Sequence, residues 1–185
     1  IRSDRLIQHL LAEIRIHSFA DLKIPLHIVA SDFWRGERVV FSSGELLPAV
    51  RASMAVPGVF PPVVHEGRVL LDGGLLDLVP YDLLLADCDF TIAFHVGHRP
   101  LPADPAQPPS VFDMLPACID VMQEATLQKQ LQIHPPDVLS QPPVGDIPIF
   151  QFDKMNEIME RAHPAAEELR AALKKKLTRR WLRRR

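Results

Sequence analysis

In the stretch RVLLDGGLLDLVP, Arg68 to Pro80, an acid and two glycines, Asp72, Gly73 and Gly74, stand between apolar runs, the second of which also carries Asp77. Asp-Gly is a favoured turn dipeptide because both positions accept positive φ, and an aspartate in such a turn needs no further role. Two features point to chemistry instead. The flanking leucines and valine are too apolar for an exposed loop, and a carboxylate at a strand end occupies the place where α/β sheets carry their sites. Glycines beside it let a substrate or another loop approach closely. A carboxylate near its ordinary pKa of about 3.9 is a feeble base toward a hydroxyl, and desolvation by surrounding leucines raises its proton affinity toward that task.

Other chemistry is poorly represented. The eight histidines are scattered, and only the pair His95 and His98 has metal-like proximity, without a cysteine or carboxylate companion at helical spacing. No metal site is expected, and His95 reads as a strand residue. Neither a Walker A pattern nor Gly-x-Gly-x-x-Gly occurs, so no cofactor is expected. The cysteines Cys88 and Cys118 form no disulfide framework, which favours a reducing, cytoplasmic setting.

The elements that must position Asp72 follow from pattern. Residues 4–17 place Leu6, Ile7, Leu10, Leu11 and Ile14 on one helical stripe. The run from Ile24 to Gly44 is rich in β-branched and aromatic residues on both sides of Arg35-Gly36, which predicts two strands joined by a tight turn. A short helix fits ELLPAVRASM and must stop near Pro57-Gly58. A second hairpin turns at Glu66-Gly67, and its outgoing strand delivers Asp72 at its C-terminal end. Pro80 can open a short helix to about Ala86. Asp89 to Val96 reads as a strand buried on both faces, Gly97 to Pro109 as a proline-rich loop, and residues 110–131 as a helix through Phe112, Leu115, Ile119, Met122 and Leu127. After a proline-rich connection containing PDVLSQPP, Asp153 is placed to cap a helix to about Arg161, and Pro164 to open the final one.

The chain has 185 residues, 47% of them hydrophobic, enough for one globular domain with a sizeable core, and neither a fibrous nor a disordered protein is implied. Strands and helices alternate as in an α/β architecture with helices on a mixed sheet. No apolar run of transmembrane length and no signal peptide is read from the sequence. Opening on Ile1 and not on methionine, it allows for an upstream segment.

The stretch from Ile24 to Pro80 resembles the C-terminal half of the catalytic domain of bacterial patatin-like phospholipases, a family that also includes the neuropathy target esterase catalytic domain. The shared elements are IPL leading to ASD, then VRASMAVPGVFPPV, then LLDGG followed by a proline six residues after the last glycine. The likeness runs from Ile24 to about Val96, and more weakly through PDVLSQPP and the helix after Asp153 to about Ala166. It implies a patatin-like three-layer sandwich with a mixed central sheet, incomplete at its N-terminus. It also implies hydrolysis of lipid acyl esters by a Ser-Asp dyad: the serine of a Gly-x-Ser-x-Gly elbow attacks the carbonyl and the aspartate of the Asp-Gly-Gly motif, here Asp72, is its base.

No Gly-x-Ser-x-Gly occurs in the sequence, and the family's glycine-rich oxyanion loop is absent as well. The chain is therefore expected to supply the base without the nucleophile, the missing half lying in the same or another polypeptide, and to be inactive alone. The alternative is a non-catalytic, patatin-derived membrane-binding or regulatory module. Within the resemblance, Ser53 is structural, at the end of a short helix, and Ser31-Asp32 is a strand-end hydrogen-bonding pair. Asp77 departs from the family, which usually has asparagines before the matching proline.

The last twelve residues carry eight cations and no acid: Lys174, Lys175, Lys176, Arg179, Arg180, Arg183, Arg184 and Arg185. Subtracting these from the 21 basic residues leaves 13 against 23 acidic ones, so residues 1–173 stand at −10 and the tail at +8. Residues 1–173 are read as the hydrolase portion and 174–185 as a basic amphipathic tail. With Leu173, Leu177, Trp181 and Leu182 as an apolar strip, the tail suits an anionic membrane surface, although cations also complement a helix C-terminus. Nucleic acid is not an expected partner, since one tail tryptophan and no binding fold speak for it. Binding to anionic liposomes, followed by flotation, is expected to fall as salt rises and to disappear on deletion of residues 174–185.

Overall fold

The computed structural model describes residues 16–97, 110–147 and 151–183, apart from the side chains of Asp113, Phe152 and residues 177–183. Most of the helix expected over residues 4–17, His98, most of the loop to Pro109, and Arg184 and Arg185 lie outside the described residues. The chain divides into two compact units, one of Ile1–Pro80 with Gln123–Leu127, the other of Tyr81–Met122 with Gln128–Arg185.

In the first unit the strands β1 (Ile28–Asp32), β2 (Glu37–Phe41), β3 (Val63–His65) and β4 (Arg68–Asp72) form an antiparallel sheet in the order β2-β1-β4-β3. Both expected hairpins are present, β1 with β2 and β3 with β4. At the second, Glu66 and Gly67 both have positive φ, 48° and 73°, the signs that a two-residue type I′ turn needs to follow the strand twist. The link between the hairpins is the β1–β4 pairing, which sets Ala30 opposite Asp72. As a central strand, β1 is buried over its last four residues, whereas the edge strand β2 is largely exposed.

The helix α1, Leu46–Ser53, lies against β1 and β4 and carries Pro48 within its first turn, where the missing N–H costs little. Ala49 and Ala52 on α1, and Ala55 just beyond it, recur every third position and are fully buried. The small methyl groups let the helix backbone settle close to the sheet, Ala52 and Ala55 in a core with Ala30, Val63 and Leu70. On the other side of the helix start, Phe19 packs on Leu46 and Ala49, with its backbone N–H donated to the Gly44 carbonyl at 3.0 Å.

The second unit has a parallel pair, β5 (Ile92–Phe94) and β6 (Val138–Ser140), connected through α2 (Val111–Ile133), and α3 (Met155–Arg183) packs on β6. The two strand entrances are clasped reciprocally. The Thr91 N–H donates to Asp137 Oδ2 at 3.0 Å, and the Asp137 N–H donates to Thr91 Oγ1 at 3.3 Å. The α/β architecture read from the sequence is thus present, with antiparallel pairing in one sheet and parallel pairing in the other.

Several boundaries differ from the sequence expectation. The run Asp89 to Val96 yields only a three-residue strand, and Phe94 and Val96 are more than half exposed. Among the described residues β5 has a strand partner on one side only, so it is not sandwiched. The segment after Pro80 is a single 3-10 turn, Tyr81–Leu84. PDVLSQPP contains β6. Pro164 does not open a new helix but lies inside α3, as Pro116 lies inside α2. Each proline forgoes one backbone hydrogen bond, a cost that a long helix packed against other elements can absorb. The helical spacing over α2 does not mark a single buried stripe: Leu127 is buried, while Phe112, Leu115 and Met122 are exposed.

The close seat of α1 supplies a test. Ala52→Leu adds three carbons where the sheet leaves no room, and is expected to cost about 1–3 kcal/mol of stability in urea unfolding, with an unchanged dependence on denaturant.

Candidate active site

Asp72 is delivered by β4 and stops the strand. Its N–H donates to the Ala55 carbonyl at 3.0 Å, so the segment after α1 holds the backbone at the strand end. Its side chain then turns back and caps the 3-10 turn Gly73–Leu75: Oδ1 accepts the Gly74 N–H at 2.7 Å. The carboxyl group is half-buried. That burial pushes its pKa above the ordinary carboxylate value, and the Gly74 hydrogen bond offsets part of the rise.

Neither glycine is there for a left-handed backbone, since neither has positive φ. Asp72-Gly73 is therefore not a hairpin turn. At Gly73 a Cβ would stand 2.3 Å from the Val29 carbonyl oxygen and 2.7 Å from its carbon, so no side chain fits between this loop and β1. At Gly74 a Cβ would meet Asp72 Oδ1 at 2.9 Å and Gln123 Nε2 at 3.3 Å. One glycine seats the loop on the sheet and the other leaves room around the carboxylate.

The loop is also fastened by polar contacts. The Gly73 carbonyl accepts hydrogen bonds from Ser31 Oγ at 3.4 Å, the Leu76 N–H at 3.1 Å and the Asp77 N–H at 2.9 Å. Asp77 is buried at 7% exposure and its carboxylate is ion-paired with Arg38 on β2. Arg38 was not singled out from the sequence, because an arginine on an edge strand reads as a solvated residue. Asp77 was, as a departure in an apolar stretch, and burial in an ion pair accounts for an acid there.

The remaining sequence candidates fall in separate places. Ser31-Asp32 is a hydrogen-bonding pair at the strand end, as expected. Asp32 Oδ1 accepts the N–H groups of Trp34 and Arg35, both at 3.1 Å, and its other oxygen lies 3.9 Å from Nε of Arg35 and of Arg68. Ser53 is the last residue of α1. His95 follows β5 and contacts Gln141 Nε2 through Nδ1 at 3.1 Å. No cluster of three metal-ligating side chains occurs among the described residues. In the tail, Lys174 and Lys175 are exposed on α3. Lys176 donates to the Asp137 carbonyl, lies 3.6 Å from the Asp137 carboxylate and sits 5.7 Å over the Phe90 ring. The backbones of Arg179, Arg180, Trp181 and Arg183 belong to α3, and their side chains lie outside the described residues. Among the described residues, no helix is long and apolar enough to cross a membrane.

Residues 2–85 match the family described as Patatin-like phospholipase. An uncharacterized NTE family protein of Mycobacterium tuberculosis (strain H37Rv) is 43% identical over 89 residues, which cover 47% of this chain and 25% of that protein. A second such protein from the same strain is 35% identical over 88 residues, 48% of this chain and 15% of that protein. Lysophospholipase NTE1 of Kluyveromyces lactis is 31% identical over 84 residues, 45% of this chain and 6% of that protein. The resemblance is thus established for the part of the chain that contains Asp72, and the chain spans a quarter or less of each of these relatives.

A buried carboxylate carries a stability cost whose sign can be worked out. With the folded pKa above the unfolded one, the folded state holds its proton more tightly, so stability declines as pH rises from the unfolded value through the folded one. Asp72→Asn keeps an acceptor for the Gly74 N–H and removes that cost. Its urea midpoint is expected to exceed that of the wild type at pH 7, with the gain vanishing as pH falls below the ordinary aspartate range.

Proposed function

We propose that the patatin-like segment, residues 2–85, contributes the general base of a serine hydrolase that cleaves acyl esters of lipids or phospholipids. The observation that carries the reading is Asp72: a half-buried carboxylate at a strand end, its proton affinity raised by burial, its orientation fixed by the Gly74 N–H, within the stretch that matches the family. The mycobacterial relatives are named only as NTE family proteins and the yeast one as a lysophospholipase, so the activity comes to this chain as a proposal.

The chemistry is that of a two-residue site. A serine Oγ attacks the ester carbonyl while Asp72 takes its proton; the alcohol leaves, protonated by Asp72, and water then releases the acyl group by the same exchange in reverse. With Oδ1 held by Gly74, Oδ2 is the oxygen assigned to the serine proton. The serine belongs to a Gly-x-Ser-x-Gly elbow, a pattern not found in these 185 residues, and is supplied by another segment of the same or another polypeptide. Neither metal nor cofactor enters the scheme. Lys174, Lys175 and the arginines after them hold the enzyme against an anionic membrane surface, as a peripheral protein on the cytoplasmic side.

The same lack of the serine motif favours a second reading, a binding or regulatory module that retains the patatin scaffold without turnover. One experiment separates them. In the complete protein, Asp72→Asn is expected to lower hydrolysis of a p-nitrophenyl ester by ~10²–10⁴-fold with the fold intact by circular dichroism. The 185 residues alone are expected to give no turnover. Full activity in the folded variant would overturn the base assignment, and an inactive complete protein would leave the binding module standing.

A further inference from the structure

Among the described residues the carboxylate of Asp72 accepts one hydrogen bond, from the Gly74 N–H, and that N–H belongs to the same peptide unit as a carbonyl engaged on its opposite side. The peptide joining Gly73 to Gly74 is planar and trans, so its C=O and N–H point in opposite directions and turn together. On the carbonyl side, Ser31 Oγ and the N–H groups of Leu76 and Asp77 converge at 3.4, 3.1 and 2.9 Å. On the other side the N–H reaches Asp72 Oδ1 at 2.7 Å. Whatever fixes the carbonyl also aims the N–H. With no side chain on either glycine to steer this peptide against its neighbours, the aim depends on the groups that grip the carbonyl.

Two of those grips are anchored away from the loop. Ser31 lies on β1, buried at 3% exposure, and Asp77 is tied through its carboxylate to Arg38 on β2. We propose that Ser31 and the Arg38–Asp77 ion pair are positioning residues for Asp72, acting through the single peptide unit between Gly73 and Gly74. The connection spans three neighbouring strands, β2, β1 and β4, and ends on one carboxylate oxygen. Its catalytic consequence rests on reading Asp72 as a base; its effect on Asp72 itself does not.

The sign of the effect distinguishes this arrangement from simple electrostatics. The charged or titratable groups on the elements around Asp72 include Asp32 on β1, Glu37 and Arg38 on β2, His65 on β3, Arg68 at the other end of β4, Arg51 on α1, Asp77 in its own loop and Glu124 beside Gln123 on α2. None of them is among the influences on Asp72, which are burial, raising its pKa, and the Gly74 N–H, lowering it. Asp77→Asn removes a negative charge and leaves Arg38 without its carboxylate. Acting through space, both changes would lower the Asp72 pKa. Acting through the peptide, the variant loosens the Gly74 N–H from Oδ1 and raises it.

The test is a carboxyl-carbon NMR titration of the complete protein with labelled aspartate, comparing wild type, Asp77→Asn and Ser31→Ala, with the pH profile of p-nitrophenyl ester hydrolysis run in parallel. Asp72 is expected to titrate higher by about half a unit or more in each variant, a roughly threefold gain in proton affinity. The acid limb of kcat/KM should move with it. A midpoint that stays in place or falls in a folded variant overturns the proposal. Ser31→Ala keeps the test decisive should Asp77→Asn fail to fold, because it deletes one hydroxyl and leaves the ion pair whole. If the midpoint rises while the hydrolysis profile does not follow, the positioning role stands and the base assignment fails.

Discussion

The contact between Gly73 and the backbone of Val29 is the constraint on which the first unit turns. A hydrogen atom is all that fits there, the Cβ position being 2.3 Å from a carbonyl oxygen. Because the loop can lie directly on β1, the chain leaving β4 does not continue as a strand but folds over as a 3-10 turn, and Asp72 is left at the corner. The alanines of α1 and the segment behind it apply the same economy of side chain on the helix layer, bringing the Ala55 carbonyl to the Asp72 N–H. Small residues on two sides bring three backbones together around one carboxylate.

The polar groups of the site make sense against that packing. In an apolar, close-packed corner a backbone carbonyl without partners is costly. The Gly73 carbonyl instead collects three donors, and the ion pair of Asp77 with Arg38 closes the loop onto the edge strand. Asp77 is buried at its end of the pair while Arg38 is a third exposed, and removing the arginine would leave the buried carboxylate without it, so the pair ties the loop to β2. Such a tie suits a loop that holds a carboxylate at a raised proton affinity.

How much of this was legible in the sequence depended on distance along the chain. Both hairpins were readable because each carries a local turn signal between adjacent strands, Arg35-Gly36 within the four-residue turn 33–36 and Glu66-Gly67 as a two-residue turn. Asp72 was readable as a strand-end acid from its immediate neighbours. The partner of Asp77 was not, since Arg38 comes near it only through the strand order β2-β1-β4, which no local pattern encodes. The reason for Gly73 was hidden likewise: its neighbour is Val29, on a strand from the preceding hairpin. Pro164 misled for the opposite reason. Its local cost suggested a helix start, and a long helix with tertiary support on β6 carried it in its interior.

The turn between β1 and β2 is shaped from beneath. Asp32, buried under it, supplies both acceptors that close the turn: its side chain takes the N–H groups of Trp34 and Arg35, and its carbonyl takes that of Gly36. Phe33 and Trp34, packed edge to face at 4.7 Å, project outward at 54% and 78% exposure and contribute little to holding the turn's form. Shape and surface are thereby assigned to different residues. Mutation can rewrite the two aromatic positions without disturbing the hairpin, so the tip is a place where related proteins are free to diverge in what they touch while keeping the same frame.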